Sequence, residues 1–202
     1  MIKQYILLLA LFLSLEQTYV FASPKGNKSS DIPINYSYNT ACGNYYLQSL
    51  QMKKYKWNKF PVTVNINGVP DKYKLTAIRA INKWGEYIPL KISKSANSNI
   101  LIIWVKKLPV LGRGFVGEAD HLYKNEVHTC RIAILYKNHY SLSEIQEILV
   151  HELGHALGLD HSHNSKDIMF NTIKPCKKAL PPKSLITPRD LNTLYLIYSE
   201  KQ

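Results

Sequence analysis

From residue 60 the chain alternates apolar and polar positions, Phe60-Pro61-Val62-Thr63-Val64-Asn65-Ile66-Asn67, with β-branched residues prominent. A period of two predicts a half-buried strand over residues 60–67. Gly68 and Pro70 then punctuate the chain and the period changes. Leu75, Ala77, Ile78, Ile81 and Trp84 recur at helical spacing, predicting a helix over 71–86 capped by Asp71, with those five residues as its buried face. Residues 88–92 read as a short strand. Residues 99–105, NILIIWV, are apolar almost throughout, which predicts a central strand covered by helices on both faces. Residues 108–129, with Gly112, Gly114 and Gly117, read as a loop leading to a strand over 131–136. Ser141 and Glu144 have capping-box spacing, and Leu142, Ile145, Ile148, Leu149, Leu153 and Ala156 mark the inner face of a second long helix. Irregular chain rich in proline and lysine follows. Thr187 as N-cap and Pro188 in the first turn open a last helix to about residue 199. The alternation predicts an α+β domain: a twisted mixed sheet with two long helices, then a small irregular C-terminal subdomain ending in a helix.

The start of the chain has a different character. Lys3, an apolar run over residues 6–15 and Val20-Phe21-Ala22 have the layout of a signal peptide cleaved after Ala22. The run is half the ~20 residues a membrane-spanning helix needs, so no stable membrane anchor is expected after cleavage. Residues 1–22 therefore read as a signal, 23–56 as a loose polar leader that could serve as a short pro-segment, and 57–202 as the folded domain, with order beginning at Trp57. The expected location is secreted or extracytoplasmic, in a periplasm or outside the cell, and the expected state is a monomer.

Charge changes this picture little. The net charge of +12 would attract anions in general. The basic residues are 22 lysines against only four arginines, scattered and without interleaved aromatics, so no nucleic-acid groove is expected. The three cysteines, Cys42, Cys130 and Cys176, leave one pair and one remainder in an oxidising compartment, and all three pairings are open.

The candidate chemistry sits in residues 151–163, HELGHALGLDHSH. His151 and His155 are four apart on the second long helix, so their rings lie on one face and can converge on one ion. Glu152 adjoins the first of them and can reach a water on that metal without binding the metal itself. Gly158 can adopt the left-handed conformation that ends a helix, turning the chain so that His161 comes back as a third ligand. Three neutral imidazoles with a fourth position open suit one catalytic zinc ion. His163 lies beyond the third ligand and reads as a surface or supporting residue.

HELGHALGLDH fits H-E-x-x-H-x-x-G-x-x-H, and in this the chain resembles the metzincin metallopeptidases. Asp167-Ile168-Met169-Phe170 follows at the distance of the family's Met-turn, implying that Met169 packs beneath the metal. Ser162 after the third histidine, the ending LITPRDLNTLYLIY and the upstream order of strands and helices are most similar to the matrixin catalytic domain, over about residues 57–198. The resemblance implies a secreted zinc endopeptidase acting on protein or peptide substrates, with Glu152 as general base and Asp190 as the acidic residue near the Met-turn. It further implies that Glu147, one helical turn before His151, helps shape the pocket for the residue after the cut, where a carboxylate would favour Lys or Arg. Residues 169–183 would wall that pocket, and the strand over 131–136 is the expected edge for an extended substrate.

The chain also departs from the pattern. Asn171 and Ile173 stand where matrixins carry Pro and Tyr, and Asn171 rules out the tyrosine ligand of astacins and serralysins. The loop for a second zinc and for calcium is shortened to GEADHLYKNEVH; Asp120, His121 and His128 read as solvated loop residues, and calcium has no ligand spacing to support it. Cys42-Gly43 matches the Cys-Gly of matrixin zymogens, whose thiolate gives latency, but without the flanking Pro-Arg. Two readings of another kind stand beside the peptidase: a non-enzymatic secreted zinc module binding acidic polymers, and a zinc amidase acting on cell-wall peptides.

Overall fold

Alternation in the first strand holds at its start, where Val62 and Val64 are fully buried and Thr63 half-buried, and breaks after it, where Asn65 is buried and Ile66 only half-buried. In the computed structural model, which describes residues 34–43, 55–108, 116–124, 127–136, 140–170 and 185–199, this strand is β1 (Val62–Gly68). It is followed by α1 (Asp71–Gly85), β2 (Leu90–Ser93), β3 (Ile100–Val105), β4 (Gly117–Lys124), β5 (Val127–Leu135), α2 (Leu142–Ala156) and α3 (Pro188–Ser199). The strands form one five-stranded sheet in the order β2-β1-β3-β5-β4. All neighbours are parallel except β4, which runs antiparallel to β5 at the edge.

β3 is central, as its apolar run predicts, but among the described residues helices cover only one of its faces. Register places Ile100, Ile102 and Trp104 beside Cys130, Ile132 and Ile134, and these beside His121, Ala119 and Gly117. That single face receives both long helices. Tyr73 of α1 stacks on Trp104 with centroids 5.5 Å apart, α2 meets Gly117 and His121, and the Trp84 indole of α1 donates to the Val150 oxygen of α2 at 2.8 Å. Leu101, Ile103 and Val105 on the opposite face are only half-buried. The core lies between the sheet and this helix pair, with Trp84, Ile81, Ile132, Ile134, Leu149 and Leu153 fully buried.

Other local expectations are also corrected. The residues read as a loop before position 129 contain β4 and the start of β5. The strand over 131–136 is therefore interior, and β4 is the edge. Asp71 does not cap α1; Pro70 occupies the N-cap position and Asp71 pairs with Lys74 at 2.7 Å in solvent. Leu75 and Leu142 leave their predicted buried faces, at 58% and 56% exposed. Tyr73, Thr76 and Ala80 complete the inner face of α1 instead. The cap of α2 forms as predicted, Glu144 donating its N–H to the Ser141 hydroxyl at 3.2 Å while its carboxylate accepts from the Ser141 N–H at 2.8 Å.

Order begins before Trp57. Residues 34–43 dock on α3, whose buried Asn192 accepts from the Asn39 N–H at 2.8 Å and donates to the Asn39 oxygen at 2.7 Å and to the Gly43 oxygen. The Asn35 N–H donates to the Tyr87 oxygen at 2.7 Å, which ties the same segment to the end of α1. Cys42 is exposed and Cys130 is buried beneath the sheet; neither is in a disulfide. Cys176, residues 1–22, which the sequence reads as a signal, and Asn171 and Ile173 lie outside the described residues. No described helix is long and apolar enough to cross a membrane.

Candidate metal centre

α2 carries His151 and His155 on one face and ends in a turn that residue chemistry explains. Gly158 has φ +97°, open to glycine and strained for other residues. Its N–H donates to the His155 oxygen at 2.8 Å, and the Leu159 N–H to the Gly154 oxygen at 3.0 Å, the paired bonds of a Schellman ending. Two carbonyls remain, and each finds a distant donor: the Trp57 indole reaches the Ala156 oxygen at 2.8 Å, and the Tyr198 hydroxyl the Leu157 oxygen at 3.1 Å. The turn then returns His161 to the helix face. The Ser162 N–H donates to the Met169 oxygen at 2.7 Å, clasping the two arms of this loop.

The three imidazoles converge. Among the described residues, His151, His155 and His161 are the one group of ligand side chains whose ligand atoms all lie within 4.8 Å of one another. The His155 Nε2 is 3.1 Å from the Nε2 of His151 and 3.1 Å from that of His161. The contact between His151 and His155 is not a hydrogen bond between neutral rings. His151 Nδ1 lies 2.7 Å from the Ile168 oxygen and His155 Nδ1 lies 2.8 Å from the Leu159 oxygen. A carbonyl only accepts, so each Nδ1 carries the hydrogen and each Nε2 offers a lone pair. Burial pulls His151 down to about 4 and His155 and His161 below their ordinary value, so all three are neutral near pH 7. Neutral lone pairs aimed at one point fit a cation, and zinc–imidazole bonds of about 2.0–2.1 Å span this spacing.

Beneath them lies Met169, fully buried. Its sulfur occupies the space next to Gly154, where a Cβ would sit 2.3 Å from it. The loop that holds it is fastened through Asp190, which accepts from the Ile168 N–H at 3.2 Å and from the Thr187 N–H and hydroxyl, both at 2.8 Å. Thr187 in turn accepts from the Asp190 N–H at 3.2 Å, so the cap of α3 is also the anchor of the Met169 loop. Asp167 adds the Ser162 and Thr187 hydroxyls and an ion pair to Arg189 at 3.3 Å.

Glu152 is buried at 6% exposure, and burial, with the Glu118 charge behind it, pushes its carboxyl up to about 8. Gly117 on β4 lies directly against that carboxylate; a Cβ there would come within 2.5 Å of Glu152 Oε1. Glu147 is half-buried one turn earlier, and His163 is exposed. Asp120, His121 and His128 are not loop residues. They lie on β4 and β5, with Asp120 paired to Arg131 at 3.2 Å and His121 to His128 at 2.8 Å, and they do not converge as a second ligand group. Cys42, held beside Asn192 on α3 through Gly43, does not join the histidine group. The sequence reading missed Gly117, Glu118 and the carbonyl caps Trp57, His121 and Tyr198. Only weak alternation in GEADHLY could have revealed β4.

A helix presenting two histidines and a glutamate, a glycine turn returning a third histidine and a buried methionine beneath define a zincin of the metzincin kind. The chain belongs to the matrixin family of M10 peptidases, whose model matches residues 54–199. It is 30% identical over 139 residues to macrophage metalloelastase of Oryctolagus cuniculus, covering 57% of this chain and 28% of that protein. It is 27% identical over 151 residues to matrix metalloproteinase-26 of Homo sapiens, covering 61% of this chain and 53% of that protein. The matched region thus spans about a quarter to a half of these relatives. The family is one of zinc-dependent metallopeptidases.

Proposed function

We propose that this protein is an exported zinc endopeptidase that hydrolyses peptide bonds, with His151, His155 and His161 holding one zinc ion and Glu152 as the general base. The observation that carries the reading is the convergence of three imidazole Nε2 atoms, two of them held bare by carbonyls on Nδ1, beside a buried carboxylate that touches the edge strand. Zinc, when bound, supplies a Lewis acid for the scissile carbonyl and for water. Glu152 takes a proton from the attacking water and passes it to the departing amide nitrogen. The same carboxyl serves first as base and then as acid, so one side chain carries the proton through both steps. The Ile168 and Leu159 carbonyls keep the His151 and His155 rings in the tautomer that leaves Nε2 bare. Met169, Gly158 and Asp190 support this frame from below.

An extended substrate pairs with β4 rather than with the interior β5, because β4 is the sheet edge that lies against the Glu152 carboxylate of α2. Pairing there sets the peptide beside Gly117 and hence beside the Glu152 carboxylate. Glu147 stands on the side of α2 that would meet the residue after the cut.

Digestion of an unfolded protein by the purified chain tests the reading. Cleavage should be abolished by a zinc chelator and restored by added zinc. Cleavage that continues unchanged in the metal-free protein would refute it.

A further inference from the structure

Two imidazoles outside the triad face each other across β4 and β5. His121 Nδ1 and His128 Nε2 are 2.8 Å apart, and His121 Nε2 lies 3.0 Å from the His155 oxygen. That oxygen only accepts, so the His121 Nε2 carries the hydrogen. With both rings neutral, the 2.8 Å contact leaves one way to share a hydrogen. The bare His121 Nδ1 then accepts from the His128 Nε2–H. One directed chain of hydrogen bonds runs from His128 through His121 to the backbone of His155. Ring stacking fixes it sideways: His128 lies between Trp57 at 3.9 Å and Tyr123 at 4.5 Å, and His121 on Tyr55 at 4.4 Å.

The His155 oxygen is therefore held by two donors, the Gly158 N–H within the turn and His121 from the sheet edge. Earlier on the same strand and face, Gly117 lies against the Glu152 carboxylate. β4 thus touches α2 both at the proposed base and at the proposed second ligand. We propose that His121 and His128 are a positioning pair that fixes the register of the substrate-pairing edge strand against the metal-bearing helix, and with it the direction of the His155 ring. This rests on His155 being a metal ligand; neither member of the pair belongs to the convergent group, so both act through the backbone.

The test uses the full chain, with zinc affinity measured by competition against a chromophoric chelator and site geometry read from the visible spectrum of the cobalt-loaded protein. His121→Phe keeps the stack on Tyr55 but has no donor, and should bind zinc about 10- to 100-fold more weakly with an altered cobalt spectrum. His121→Gln keeps a side-chain N–H and should recover most of the affinity. His128→Phe keeps the sandwich and should lose affinity to a smaller extent; it carries the test should His121→Phe fail to fold. Wild-type affinity and spectrum in the phenylalanine variants would overturn the proposal, as would a glutamine variant that recovers nothing. A wild-type chain that holds no zinc would instead overturn the reading of the triad.

Discussion

The Met169 sulfur lies where a side chain at Gly154 would begin, 2.3 Å from the position of its Cβ. Gly154 stands between the two histidines of α2, so the floor of the site and the helix above it fit only because this helical residue has no side chain. Gly154→Ala should gain helix propensity, at most ~1 kcal/mol, yet destabilise the protein by about 1–3 kcal/mol through overpacking. Denaturant unfolding of Gly154→Ala, Met169→Ala and the double variant checks this. The double variant should recover part of the Gly154→Ala loss, since the residues are in contact and their effects should not add.

Asp190 gives a pH signature. Burial pushes its carboxyl from 3.8 up to about 6, and its Oδ1 has no hydrogen-bond partner among the described residues. A raised carboxyl pKa means the folded state binds the proton more tightly than the unfolded state. Its cost is therefore absent below about pH 3.8, grows as pH rises towards 6 and is constant above. Asp190→Asn removes that dependence but weakens the anchor to Ile168 and Thr187. Across this window the stability of wild type relative to Asp190→Asn should fall with rising pH, by up to about 3 kcal/mol. Urea titrations of the metal-free proteins at pH 4, 5, 6 and 7 measure it; a difference rising with pH would contradict the assignment.

Glu147 predicts preference. If its carboxylate faces the pocket after the scissile bond, a peptide library should show Lys or Arg enriched at that position. Glu147→Leu should shift the enrichment to apolar residues with little change in overall turnover. No basic enrichment, or a preference unmoved by the substitution, would dispose of this role.

What the sequence makes legible here is local. The spacing of His151, Glu152 and His155 fixes a helix face, Gly158 fixes the turn, and Ser141 with Glu144 fixes the cap, each within a few residues. β4 stays hidden because its inward positions, Gly117, Ala119 and His121, are small or polar where strands usually show β-branched bulk. They are small because α2 comes so close that Glu152 fills the space a side chain would need. Leu75 and Leu142 look like core because they continue an apolar stripe, but which edge of a stripe is covered depends on the partner element. The carbonyl caps from Trp57 and Tyr198 join residues 99 and 41 apart in sequence, beyond the reach of any local pattern.

The most direct measurement of the central claim is to compare wild type with Glu152→Gln for zinc content and for cleavage of an unfolded protein, side by side. The account predicts one zinc per chain in both and a loss of at least about 10²-fold in cleavage by the variant, because only the proton-transfer group has changed. Cleavage by Glu152→Gln at the wild-type rate, with zinc bound, would contradict it.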